Sequence, residues 1–528
     1  MSQSRRIPYA RSSRLALVAA LCLVALGSQA AFARGKGQRS PLSLSDRARA
    51  QLSQTAKREA IAKYGVKAMA LKRTFLAKHN TDYSVVIPRG RTPYEIRNQR
   101  QSGRCWLYAF DNVLQSKLAL KGVRPRDLST SFMNYHALRT QAFALLKEAA
   151  SSRALPDLAR IGELDEGGHQ PWARAIVRKH GIVPERVMRS TYDGNNSALT
   201  INKLRQLIVA AYREIGKQSA DKAGERASKA IAKSYQKKIE KLLDSTIGKP
   251  PRQFTIDGVR YTPKTYLSRK LKISDADLDY VVLLHDPERG FNRGYVQGGD
   301  LGLKDFVAYN VSMATMQAAV KSTIKGGESV WFSANAASGN PHRAGVSSAE
   351  PREARGVLAI GAFDYEPYIP SPKMSKRERQ QAMINLSDHA MALTAFDPKA
   401  GSRGTVLKWR VDNSWGRQKA GKDGHFHMYD DYFRHYVDSV VVPRSALSKA
   451  MLTKLNAKPI VGLEPAVKLA KKPAAKWRAP ERRKLVLQVI AGALSVDEAA
   501  HQHGLKASTV QRWHDNALQA MNDALRSD

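Results

Sequence analysis

Two cysteines occur in the 528 residues, Cys22 and Cys105. The chain opens with the basic, acid-free stretch MSQSRRIPYARSSR, followed by an apolar run from Leu15 to Ser28 and then QAAFARGKG. That order, with small residues suited to cleavage after Ala33, predicts an export signal over 1–33. The apolar run falls short of the ~20 residues a membrane span needs. Removal of the signal takes Cys22 with it and leaves Cys105 as a lone thiol with no disulfide partner. In an oxidising compartment such a thiol is either buried or used.

Use as a nucleophile demands further parts. A cysteine nucleophile needs a base, a group that orients the base, and donors for the oxyanion. In SGRCWLYAFDNVLQSKLAL, Trp106, Ala109, Val113 and Leu114 recur at helical spacing. The spacing predicts an amphipathic helix with Cys105 in its first turn, where the helix dipole and unpaired amides favour a thiolate. There are 13 histidines, so context must choose among them. His389, in LSDHAMALTAFD, starts an apolar strand-like run, and Asn413, in WRVDNSWG, ends the next one. Paired antiparallel, two such strands would let the Asn413 amide oxygen accept the imidazole N–H, with Trp415 shielding the bond. On spacing alone, a structural histidine is the ordinary reading of such a position.

The elements that must position these residues differ along the chain. Residues 34–93 read as a basic leader with helical content, ended by Pro88, Gly90 and Pro93. Residues 94–466 form the main body, with a basic helical insertion at about 195–250 that reads as a solvated helical hairpin. After 279 the texture turns to short strands: DYVVLLHD, ESVWFSAN, HAMALTAFD, TVLKWRVD and DSVVVP. Helices first and strands later predict an α+β class. Residues 467–479 are a Lys/Ala/Pro linker, and 480–528 read as a small all-α domain of three helices. Ser495 and Ser508 serve as its caps and Gly504 as its turn, a helix-turn-helix pattern.

NQRQSGRCWLYAF, DHAMALTAFD and DNSWG, in that order, resemble the papain-like cysteine peptidases, and NQ…SGRCW resembles the bleomycin hydrolase and aminopeptidase C branch. DEGGHQPWARAIVRKHGIVPE, GKPPRQFTIDGVRYTPKTYL and GHFHMYDDYFRHYVDSVVVP are similar to that branch too, so the resemblance spans roughly 60–465. It implies a papain-like fold, a helical half plus an antiparallel β half. It implies Cys105 as nucleophile, His389 as base and acid, Asn413 as orienting residue and Gln99 as side-chain oxyanion donor. Gly167 and Gly168 resemble the glycines that pair with substrate backbone, where no Cβ may intervene. Asp388 is expected to tune the dyad, and Trp106 to lie in the core. The implied reaction is acyl transfer from peptide substrates through a thioester, as an aminopeptidase or oligopeptidase, with no metal or cofactor. A homo-hexameric barrel is the assembly the resemblance implies. The branch looks cytoplasmic, whereas this N-terminus predicts a periplasmic or secreted protein; retention of the segment would make it cytoplasmic. The tail beyond 466 departs from the branch, and cleavage by the enzyme itself within 466–480 is an expectation of that departure.

The formal charge of +41, with 87 Lys and Arg against 46 Asp and Glu, favours anionic partners. Arg512 and His514 fall on the recognition-helix position of the C-terminal pattern, where nucleic-acid contacts would be made. The competing functional expectation is therefore an inactive papain-like protein acting as a nucleic-acid-binding or scaffold protein.

Overall fold

The computed structural model describes residues 40–87, 95–124, 127–151, 159–219, 221–298, 301–337, 339–346, 348–402, 404–417, 421, 423–455, 459–460, 479–490, 496, 499–500 and 505–526. The export segment 1–33 and the linker up to 478 lie outside them, as do Ser495 and Gly504.

The helical half is built around the Cys105–Leu120 helix. It is buried on nearly every side, Asp111, Gln115 and Ser116 included, rather than amphipathic. It is sandwiched between the Thr130–Ser151 and Gln170–His180 helices and the sheet, whose Trp331 donates its indole N–H to the Trp106 carbonyl at 3.2 Å. Polar residues survive there because they are paired: Asp111 with Arg97 at 2.7 Å, and Ser116 with Ser329 at 3.1 Å.

The basic insertion is a hairpin of helices Ala198–Ile215 and Lys222–Thr246. One face of it is not solvated. Leu204, Ile208, Tyr235, Ile239 and Leu243 recur every three to five residues and join the core that holds Phe132 and Leu138. Tyr135 donates to Asp244 at 2.8 Å and Arg139 pairs with Glu240 at 2.7 Å, tying the hairpin to the Thr130–Ser151 helix.

Twelve strands occur among the described residues: β1 (Val85–Val86), β2 (Phe254–Ile256), β3 (Val259–Tyr261), β4 (Tyr280–Leu284), β5 (Arg293–Gln297), β6 (Phe306–Asn310), β7 (Val330–Ala334), β8 (Val357–Leu358), β9 (His389–Pro398), β10 (Val406–Asp412), β11 (His425–Tyr429) and β12 (Val437–Pro443). The main sheet runs β5-β6-β4-β12-β7-β9-β10-β11-β8, with β1 added to β9. All its pairs are antiparallel except β4–β6 and β11–β8. Side chains alternate between two cores, as a period of two requires. Val282, Trp331 and Ala390 face the helical half, while Leu283, Phe332 and Met391 face a second core under the Met313–Lys325 helix.

The described part of the leader packs on this sheet. Ser45 and Ser53 cap short helices at Asp46–Ala50 and Gln54–Tyr64, and Gly65, at φ +82°, ends the second. Ala70 and Leu71 then join Val357 and Phe363 in a third core, and Val85 pairs with Phe396. Near the end of the body, Ile460 bridges Tyr295 at the β5 edge. Near the C-terminus, helices Ala479–Ile490 and Ala507–Arg526 share a small core of Leu485, Ala499, Ala500 and Val510. Ser508 lies inside the first turn of its helix, which starts two residues earlier than its capping role would need. Among the described residues, no helix is long and apolar enough to cross a membrane.

Candidate active site

Cys105 is the first residue of its helix, and the N-cap residue Arg104 supplies no side-chain cap. The first-turn amides therefore keep no intramolecular acceptor from the cap, the usual state of a helix start that receives an anion. The Arg104 side chain turns inward instead. Wholly buried, it donates to Ser102 and Ser131 hydroxyls at 3.0 Å and to the Asn195 amide oxygen at 3.0 Å.

The loop before Cys105 is fixed by Glu166, a buried carboxylate inside the DEGGHQPW stretch to which the sequence assigns no role. Its Oε2 accepts from the Gly103 amide at 2.8 Å and from the Ser197 hydroxyl, and its Oε1 accepts from Asn134 Nδ2 at 2.6 Å. Its backbone carbonyl accepts the Trp106 indole N–H at 2.6 Å. Trp106 is buried, as expected of a core residue.

His389 and Asn413 meet as the strand argument requires. β9 and β10 pair with Ala392 opposite Asp412, which sets His389 at the start of one strand beside Asn413 just past the end of the other. His389 Nε2 lies 2.7 Å from Asn413 Oδ1. Trp415 stacks on the imidazole, ring centres 4.7 Å apart and planes 27° from parallel. Arg343, which no periodicity singles out, forms a third layer with its guanidinium 4.5 Å from the Trp415 ring. Its Nη1 donates to the Ala336 carbonyl at 2.6 Å, which holds the layer in place.

Gln99 connects the two halves. Its backbone N–H donates to the Ser414 carbonyl at 2.8 Å, and Gly416 N–H donates to the Arg97 carbonyl at 3.0 Å. The loop carrying the thiol is thus zipped to the loop carrying Asn413. Gln99 Oε1 accepts from the Ser414 hydroxyl, and Nε2 donates to the Ser102 carbonyl at 2.6 Å. One Nε2 hydrogen remains for another acceptor.

Asp388 precedes β9, and its carboxylate accepts from the Ala336 amide at 2.7 Å and Asn335 Nδ2 at 3.1 Å. Its oxygens thus brace the chain after β7. Gly167 donates its N–H to Asp165 at 2.8 Å. Gly168 packs on Trp106 so closely that a Cβ would lie 2.6 Å from the indole ring, a structural reason for glycine independent of any substrate. Arg512 and His514 lie outside this cluster, on the Ala507–Arg526 helix, where His514 pairs with Asp515 at 3.1 Å.

Electrostatics favour the neutral forms of both reacting groups taken singly. Burial pushes the Cys105 thiol up to about 11, partly offset by the N–H groups of Ala390 and Trp106 directed at the sulfur. Burial pushes His389 down to about 4, against the Asn413 hydrogen bond and with the Arg343 cation. Each charged form alone forfeits its hydration. A thiolate and an imidazolium formed together compensate one another, so the proton passes between them more readily than to water. Cys105 packs against the core that includes Ala390, the strand residue that follows His389.

A family model described as the Peptidase C1-like family matches residues 42–466. Aminopeptidase C of Listeria monocytogenes is 27% identical over 392 residues, covering 69% of this chain and 84% of the relative. Human bleomycin hydrolase is 24% identical over 424 residues, covering 74% and 89%. The crystal structure of PepW from Lactobacillus rhamnosis HN001 superposes with a TM-score of 0.66 at 24% identity, covering 77% of this chain and 92% of that one. At that identity the last likeness is one of fold, the papain-like α+β arrangement. The matched span begins at 42, so it takes in the docked residues read from sequence as a leader.

Proposed function

This chain belongs to the Peptidase C1-like family and is a papain-like cysteine peptidase, and we propose that it hydrolyses peptides as an aminopeptidase through Cys105, His389 and Asn413. The observation that carries the reading is the His389–Asn413 hydrogen bond of 2.7 Å beneath Trp415, beside a thiol at an uncapped helix start. His389 takes the thiol proton through the ring nitrogen that Asn413 leaves free. The Cys105 thiolate attacks the peptide carbonyl, and the oxyanion receives the Cys105 N–H and the remaining Gln99 Nε2 hydrogen. Collapse of this intermediate returns the proton from His389 to the leaving amine and leaves a thioester. Water, deprotonated by His389, then attacks the thioester, releasing the acid and restoring the thiol. Gly167 and Gly168 take the role of a backbone-pairing edge for the acyl portion.

The aminopeptidase mode follows the names of the relatives, Aminopeptidase C among them. We read the protein as exported, from the N-terminal pattern. A fluorogenic aminoacyl substrate assayed beside Cys105→Ala tests the chemistry, and turnover by the alanine variant at the wild-type rate refutes it. Product analysis of longer peptides tests the mode: single residues released from the amino end support it, and internal cuts refute it.

A further inference from the structure

A cavity of about 520 Å³ opens beside the catalytic cluster, lined by Asn98, Arg100, Gln101, Tyr192, Asn196 and Trp415 among others. It shares Trp415 with the imidazole stack, and Asn98 and Gln101 flank Gln99 on either side. In a thiol peptidase, the leaving amine must collect its proton from the histidine. Trp415, stacked on that histidine, is also a wall of this cavity, so the cavity adjoins the side of the site where the leaving amine departs.

The lining has a definite chemistry. No Asp or Glu contributes to it. Arg100 sits at φ +56°, a left-handed conformation supported by its own N–H donating to Asn98 Oδ1 at 2.8 Å. Its side chain is exposed, and among the described residues its guanidinium has no acid to pair with. Asn196 donates to the Tyr192 carbonyl at 2.9 Å, and Gln101 N–H donates to the Asn195 carbonyl at 2.9 Å, so the opposite wall is fixed to the thiol loop. Tyr192, 80% exposed, stands on that wall as an unburied aromatic. An unneutralised guanidinium, amide donors and an aromatic face in one acid-free cavity form a receptor for a carboxylate on a short chain.

We propose that this cavity is a leaving-group pocket in which Arg100 selects peptides whose leaving portion carries a carboxylate. That group is either the free C-terminal carboxylate of a short peptide or the side chain of an acidic residue. The inference rests on the peptidase reading above and names the substrate class of that site.

The test compares matched peptides that share one acyl residue. Leu-Gly-Gly as free acid against its C-terminal amide reads the terminal source. Leu-Asp-Gly amide against Leu-Asn-Gly amide reads the side-chain source. The readout is the ratio of kcat/KM within each pair, which cancels any general loss in a variant. In the wild-type chain, one pair or both favours the carboxylate by about fivefold to tenfold, the range of a partly exposed ion pair. Arg100→Gln brings the ratio to about one, and Arg100→Lys recovers part of it. A ratio near one in both wild-type pairs, or a preference that survives Arg100→Gln, overturns the proposal. Leucyl-aminomethylcoumarin, which carries no carboxylate, separates the two levels. If it is turned over without any carboxylate preference among the peptides, only the pocket is refuted. If neither it nor the peptides are turned over, the peptidase reading falls and takes the pocket with it.

Discussion

Replacing Glu166 tests whether a residue to which the sequence assigns no role holds the nucleophile loop. Its two oxygens accept three donors: the Gly103 amide, the Ser197 hydroxyl and the Asn134 amide. Glu166→Ala strands all three in a buried site. Each unsatisfied buried donor costs about 1–3 kcal/mol, less than additively within one network. A total of about 3–5 kcal/mol follows, comparable with breaking a buried charged pair. Unfolding entropy of ~2.1 cal/mol/K per residue over the roughly 425 residues matched by the family model, 42–466, converts that to a fall in Tm of about 3–6 °C. Glu166→Gln behaves differently. Its amide oxygen keeps Gly103 and Ser197, and its NH2 can face Asn134, whose Oδ1 is buried without a partner and accepts after an amide flip. The glutamine variant therefore loses only charge assistance, about 1 kcal/mol or ~1 °C. Thermal unfolding followed by tryptophan fluorescence, with kcat measured on the same samples, reads both. Gly103 lies two residues before Cys105, so kcat in the alanine variant falls as well. An alanine variant within 1 °C of wild type, or a glutamine variant as impaired as the alanine, refutes the reasoning.

Asn413→Ala removes the acceptor of a buried imidazole N–H and lowers kcat by about 10- to 100-fold with little change in KM, the equivalent of ~1.4–2.8 kcal/mol; unchanged kcat in steady-state assays speaks against the orienting role. Gly168→Ala puts a methyl 2.6 Å from the Trp106 ring and lowers Tm even without substrate; a variant of wild-type stability whose KM alone rises would instead place the glycine's role in substrate binding. With His389 held near about 4, the acid limb of kcat/KM falls near pH 4 rather than 6.5, and a limb at 6.5 contradicts the buried placement. Stacked His136 and His180, centroids 3.8 Å apart, are pushed down to about 3 and about 4, His136 chiefly by burial and then by His180 and Arg139, His180 chiefly by burial and then by Lys179 and Arg139. The unfolded chain binds more protons than the folded one below about 6.5, so their stabilisation is complete above that pH and is lost as pH falls through 6.5 towards 4. Tm measured from pH 8 to 4 declines over that window, and less steeply in His136→Gln.

What the sequence alone determined was local. Short β-rich runs between turns placed β4, β7, β9, β10 and β12, and the order of helices before strands pointed to the α+β class. Helical spacing put Cys105 in a first turn, and two consecutive strand-like runs put His389 and Asn413 at adjacent strand ends. These are consequences of chain geometry over a few residues and are legible without packing.

Burial and long-range pairing were decided only in three dimensions. The Cys105 helix looked amphipathic but is enclosed, because its polar residues Asp111 and Ser116 find partners from Arg97 and from Ser329, the latter more than 200 positions away. The insertion looked solvated because its Lys and Arg outnumber the apolar residues that anchor it to the Thr130–Ser151 helix. Leader residues such as Leu71 and Val85 carry no mark of the strands and loops they pair with near 360 and 396. Glu166, Arg343 and Arg100 escaped a reading by spacing for one physical reason. A charged side chain acquires its role from what surrounds it, and the surroundings here come from segments distant in sequence.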